Sequence, residues 1–103
     1  MQVKVRISNP EQPDRGVEQV EALIDTGAAR SLAPRSIVDK LALAPLPEGK
    51  TYATLEYAGC KAACELVISD TARNLTISLA TLTSLGLEFD LFTGILKPVA
   101  STS

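Results

Sequence analysis

Between Gln2 and Ser8 apolar and polar residues alternate without a break: Val3, Val5 and Ile7 fall on one side, and Gln2, Lys4, Arg6 and Ser8 on the other. A period of two buries one face only in an extended strand, since a helix would scatter the same apolar residues around its circumference. The pattern returns in Val17 to Ile24, with Val20, Ala22 and Ile24 on one face. It returns again in Leu75, Ile77 and Leu79. Asn9 to Gly16, with two prolines and a glycine, predicts a loop between the first two strands. Thr51 to Tyr57 and Cys64 to Ile68 read as strands joined around an Ala58-Gly59 turn, and Ser69 to Asn74 as a further turn. Pro34 suits the first turn of a helix, and Ile37, Val38 and Leu41 give the segment Arg35 to Leu41 an apolar side. Glu88 to Leu96 is a last apolar stretch containing Gly94. The fold class is therefore mostly β with one short helix, and 103 residues fit a single domain, 1–103.

What the chain lacks narrows its chemistry. It has no histidine, which excludes a Ser-His or Cys-His dyad and the imidazole metal site. Its two cysteines, Cys60 and Cys64, cannot fill a four-ligand zinc site alone. They flank Lys61-Ala62-Ala63, a spacing compatible with a bridge in a tight hairpin; in a reducing compartment they remain free thiols. The net charge is −2 with both signs interspersed, so no basic block marks a nucleic-acid surface. No apolar run reaches the length of a membrane span, and Met1-Gln2-Val3-Lys4 lacks the apolar stretch of an export signal, which predicts a cytoplasmic protein. Hydrolytic chemistry would have to come from carboxylates, hydroxyls, lysines or thiols, without a metal or organic cofactor.

The second strand ends abruptly at Asp25-Thr26-Gly27. Leu23 and Ile24 fix the backbone before the carboxylate, Gly27 allows a sharp turn and a close approach, and the Thr26 hydroxyl can stiffen the turn. Such a loop holds one carboxylate rigidly at a concave surface. Two of them sharing a proton make an acid and a base, because charges in contact cannot both ionise. A bare Asp-Thr-Gly arises by composition in roughly one or two of a hundred chains of this length, as a turn whose aspartate bonds its own backbone. Two apolar residues before it, Ala28 after it and a short helix soon after make chance a poor account.

The run Ala22-Leu23-Ile24-Asp25-Thr26-Gly27-Ala28, with Ser31-Leu32-Ala33-Pro34 and the helix Arg35 to Leu41, resembles the N-terminal half of the retropepsin-like aspartic peptidases. The resemblance implies a closed, mostly β barrel with one Asp-Thr-Gly per subunit and a homodimer with one active site on its two-fold axis. It makes Asp25 catalytic, with Thr26, Gly27 and Ala28 as support. It implies a flap, for which Tyr52 to Cys64 is the candidate hairpin, with Tyr57, Ala58 and Gly59 at its tip touching substrate. The family also carries apolar residues followed by glycine near the C-terminus. Leu91-Phe92-Thr93-Gly94 is the candidate, which puts Phe92 and Gly94 among the substrate-binding residues, although Thr93 stands where an aliphatic residue is usual. Apolar pockets lined by Ala28, Leu32, Phe92 and Ile95 would give specificity, Arg30 is a candidate partner contact, and edge strands including Gln2 to Ser8 would supply dimer contacts. Relatives follow the glycine with a helix, which Pro98 cuts short here. The implied partners are a second copy and a peptide or protein substrate, with neither nucleic acid nor membrane. The alternative is a dimeric module on the same fold that binds a peptide without cleaving it.

Overall fold

A computed structural model describes residues 1–90 and 92–99. Its elements are β1 (Gln2–Asn9), β2 (Gln12–Asp25), β3 (Leu32–Pro34), α1 (Arg35–Lys40), β4 (Lys50–Tyr57), β5 (Cys60–Ser69), β6 (Leu75–Ser78), α2 (Leu79–Ser84), β7 (Leu87–Asp90) and β8 (Ile95–Pro98). The first six strands close a barrel in the order β1-β2-β6-β3-β5-β4, and β4 returns to β1 through Arg6↔Glu56, Ile7↔Leu55 and Ser8↔Thr54. β7 and β8 form a separate antiparallel ribbon. No helix among the described residues is long and apolar enough to cross a membrane.

The alternating faces point where their periodicity sends them. Val3, Val5 and Ile7 meet Ala22 and Ile24, Ala53 and Leu55, Leu66, and Leu75 and Ile77 in one apolar interior. Leu55 is wholly buried between the two sides of that barrel. Leu55→Ala is expected to cost about 2–5 kcal/mol, because the lost contacts leave a cavity that close-packed neighbours fill only in part. Denaturant melting of the two proteins, compared at their midpoints, measures it.

Four expectations need correction. Asn9 to Gly16 is not one long loop: the chain turns at Asn9–Gln12 and β2 begins at once. Asn9 makes this turn tight, its Oδ1 accepting the Glu11 N–H at 2.9 Å while Nδ2 donates to the Leu41 and Ala42 carbonyls at 3.0 and 3.1 Å. Pro13 is tolerated because the pairing register slips between Ser8 and Asn9, so no ladder bond is asked of it. Second, Leu79 does not continue the strand of Leu75 and Ile77 but opens a second helix, α2. Ser78 caps that helix, accepting the Thr81 N–H, and Leu82 and Leu85 turn inward three residues apart.

Third, β1 is an edge over its first half only: β2 runs along one side of it, and β4 covers the other side at Arg6 to Ser8. Fourth, the Tyr52 to Cys64 hairpin is a stave of the barrel rather than a free flap. β4 pairs with β5 along one side and with β1 along the other. Ala58 and Gly59 both take positive φ, 51° and 83°, the conformation of a two-residue hairpin turn. Tyr57, Ala58 and Gly59 line a shallow depression with Lys4, Arg6 and Gln19.

Both cysteines are free thiols. They stand four residues apart on one strand, about 13 Å along it, beyond the reach of a disulfide. Burial pushes the Cys64 thiol up to about 11, whereas Cys60 is half-exposed. Thiolate is the reacting form, so alkylation at pH 8 is expected to label Cys60 in the native protein and Cys64 only after denaturation. Mass spectrometry of the two digests distinguishes them, and native labelling of both at equal rates would contradict the burial.

Candidate active site

Asp25 is the last residue of a strand held on both sides. β1 pairs with it through Gln2↔Leu23, and the Met1 carbonyl accepts the Ile24 N–H at 2.8 Å. On the other side β6 runs parallel, with Ile24 level with Ile77 and Asp25 level with Ser78. Ala22 and Ile24 are locked in the core, so the alternation turns the Asp25 side chain out of it, where it is exposed. The chain then folds back on its own carboxylate: the Gly27 N–H donates to Oδ1 at 3.0 Å and the Ala28 N–H to the Asp25 carbonyl at 3.2 Å. Among the described residues the carboxylate has no cationic neighbour in ion-pair range.

Gly27 does not owe its place to backbone conformation, since its φ is not in the left-handed region. A Cβ there would meet Asp25 Oδ1 at 3.5 Å, an ordinary contact. What the missing side chain leaves open is the outer approach to the carboxylate, as Gly27 is exposed. Thr26 is exposed too, and its hydroxyl has no hydrogen-bond partner within the subunit among the described residues. It does not stiffen the turn internally, contrary to the expectation from its place in the run.

The far end of the loop is fastened by a hydroxyl cluster that the sequence reading did not find. Ser31 Oγ accepts the Ser78 N–H at 2.9 Å, donates to Ser78 Oγ at 3.2 Å and lies 2.6 Å from Thr81 Oγ1. All three residues are buried, and the Ser31 carbonyl accepts the Val67 N–H at 2.9 Å. One knot thus ties the Asp25 loop to β6, to the first turn of α2 and to β5. Ser31→Ala removes the acceptor of a buried N–H and is expected to cost about 1–3 kcal/mol, read from thermal melting. Ser31→Thr, which keeps the oxygen, should cost less.

The structure does not join Phe92 or Gly94 to either strand beside Asp25. Both lie in the turn between β7 and β8, where Phe92 is fully exposed and the Gly94 N–H donates to the Asp90 carbonyl at 2.7 Å. Leu91, first residue of the expected marker, falls outside the described residues. The strand flanking Asp25 is β6, Leu75-Thr76-Ile77, and the residue level with the aspartate is Ser78 rather than a glycine. The pair Leu75 and Ile77, followed by the capping serine, was the available signal. Leu32 is half-buried in β3, Ala28 is half-buried in the Asp25 loop and Ile95 is exposed on β8.

A groove of about 560 Å³ begins at Ala29, just past the Asp25 loop. Its floor is polar, formed by Ser31, Ser78 and Thr81, and its walls carry Arg30, Lys50 and Glu65. Glu65 lies 3.8 Å from Arg30 and 3.6 Å from Lys50, and the Tyr52 hydroxyl donates to it at 3.4 Å. Among the described residues no cluster of three or more His, Cys, Asp or Glu side chains is placed to hold a metal.

No protein-family model matches the chain, and no curated protein sequence does. Solved structures do. The retroviral protease-like domain of Ddi1 from Leishmania major matches with a TM-score of 0.69 at 20% identity, over 96% of this chain and 86% of that one. The EIAV protease, solved with the inhibitor HBY-793, matches with a TM-score of 0.62 at 17% identity, over 88% of this chain and 92% of its own. With its closed six-stranded barrel and Asp25 at the end of β2, this chain has the retropepsin-like fold.

Proposed function

We propose that the chain is an aspartic endopeptidase whose active site is completed by a second copy. The observation that carries this is Asp25 itself: an exposed carboxylate on a loop tied at both ends, with its outer approach left open at Gly27 and no cation beside it. One such group is half of an acid–base pair. Brought together on a two-fold axis, two Asp25 carboxylates hold one proton between them; one takes a proton from the attacking water while the other protonates the peptide carbonyl oxygen. Thr26, unbonded within its own subunit, is left to bond the partner's loop.

The apolar surface supports the pairing. Among the described residues, five of the seven large apolar residues that stand exposed are Met1, Leu79, Phe92, Ile95 and Val99, in the N-terminus, α2 and the C-terminal ribbon. Met1 lies against Ile24, and Leu79 follows Ser78, the residue level with Asp25. The β7–β8 ribbon stands apart from the barrel and carries two outer edges available for a two-fold contact.

A second reading has one observation in its favour. The β4–β5 hairpin is bound into the barrel and does not stand free to close over a peptide. A dimer that holds a peptide without excluding water from it would bind and not cleave. Incubation of a mixed peptide library at several pH values, read by mass spectrometry, separates the two. New termini that accumulate on the acidic side support the peptidase, and an intact library retained by the protein supports the binding module.

A further inference from the structure

We infer that the groove beside the Asp25 loop takes an acidic side chain of an extended peptide, anchored by Arg30 and Lys50. The inference rests on the peptide-directed reading of Asp25 and names the chemistry of its substrate. The groove is mixed in character: hydroxyls floor it, Ala29, Ala63, Val67 and Tyr52 add apolar surface, and Arg30, Lys50 and Glu65 are the charged groups along it. Those three charges are what can tell an acidic side chain from a basic one.

The balance of donors and acceptors decides the sign. Among the described residues Glu65 is the only carboxylate lining the groove, and Arg30, Lys50 and the Tyr52 hydroxyl face it at 3.8, 3.6 and 3.4 Å. Two cations therefore stand in the groove against one carboxylate. Arg30 carries five N–H donors in a planar fork, yet among the described residues it makes one ion pair, at 3.8 Å, with 58% of its side chain exposed. A carboxylate entering from the groove can meet that fork with two parallel bonds, which the long contact to Glu65 does not supply. Lys50 lies 3.4 Å from Glu48 and 3.6 Å from Glu65, so it adds positive charge to the wall while Arg30 supplies the open donors. An incoming ammonium meets two like charges for one carboxylate, and an incoming carboxylate meets the opposite balance. Arg30 belongs to the loop that carries Asp25, so an acidic side chain bound there lies on a peptide whose backbone runs past the aspartate.

Binding tests this without requiring cleavage. The Asp25→Asn protein is titrated into fluorescein-labelled octapeptides with Leu-Phe at their centre and Glu, Gln or Lys placed in turn at each other position, at low and at high salt. At one position the Glu peptide is expected to bind at least about tenfold tighter than its Lys counterpart, the scale of one charge-assisted pair, and the gap should narrow with salt. Arg30→Gln should reduce that ratio to about twofold or less, and Arg30→Glu should invert it. Equal binding of Glu and Lys peptides at every position overturns the inference and leaves the peptidase reading intact. So does an Arg30→Gln variant that weakens all peptides alike, which would mark Arg30 as structural. A library that does not bind at all overturns the inference together with the reading beneath it.

Discussion

Asp25→Asn is expected to abolish peptide cleavage, with a fall in kcat/KM of at least about a thousandfold, while the barrel and the dimer persist. Asn keeps the shape of the carboxylate and the acceptor for the Gly27 N–H, but it cannot pass a shared proton between water and the carbonyl oxygen. The side chain is exposed in the single subunit, so the exchange costs the fold little. In the dimer it removes two like charges facing each other, and the variant dimer should be as stable as wild type at neutral pH or slightly more so. Steady-state cleavage of one fluorogenic peptide by both proteins across pH decides it. Equal rates would remove Asp25 from the chemistry.

The second large effect is expected at the C-terminal ribbon. Ile95→Glu places a charge on an exposed apolar residue of β8, where the proposed two-fold contact would bury it unpaired. Dimer dissociation should rise by at least about a hundredfold, and activity should fall with it, while the melting of the subunit barely changes. Leu46→Glu is the control: it is also exposed and apolar but lies in the α1–β4 connection, and it should leave the dimer untouched. Sedimentation across a concentration series measures both. If Ile95→Glu remains dimeric and Leu46→Glu does not, the interface lies on the other side of the molecule. The ribbon is suited to acid. Asp90 Oδ1 accepts the Phe92 N–H at 2.9 Å and the Thr93 N–H at 3.3 Å, and these bonds hold its carboxyl below the ordinary carboxylate value. A carboxyl with a lowered folded pKa stabilises the turn above its unfolded value, near 3.9, and loses that contribution only as pH falls through the lower folded one. The turn therefore keeps its shape in mildly acidic solution.

How far the sequence could be read depended on how local each signal was. β1, the end of β2 and the β4–β5 hairpin were legible because alternation and turn residues are written in adjacent positions. So was the Asp25 loop, whose bonds close within three residues. The reading failed where a pairing joins distant residues. Whether the hairpin stands free or becomes a stave turns on Glu56 meeting Arg6, and nothing near Gly59 encodes that contact. The strand flanking Asp25 was sought before a glycine, whereas Ser78 fills the position and caps a helix as well. α2 escaped because six residues hold too little periodicity to outweigh the apparent alternation of Leu75, Ile77 and Leu79. The charged groove was invisible because Arg30, Lys50 and Glu65 meet only when the barrel closes.

The hydroxyl knot also sets a timetable. Ser31 lies 47 residues from Ser78 and 50 from Thr81 in sequence, whereas β1 and β2 meet across a turn of a few residues. Contacts that close long loops form late, after local hairpins have already been won and lost many times. A chain leaving the ribosome therefore exposes its aspartate long before Ser78 and Thr81 exist to fasten the loop. During refolding, the Ser78 amide should gain protection from hydrogen exchange after the amides of the β1–β2 hairpin, and catalytic competence should follow the later event. On that schedule a half-made chain, or one cut short before α2, carries the aspartate as an ordinary surface acid, and the proposed dyad can assemble only from finished molecules.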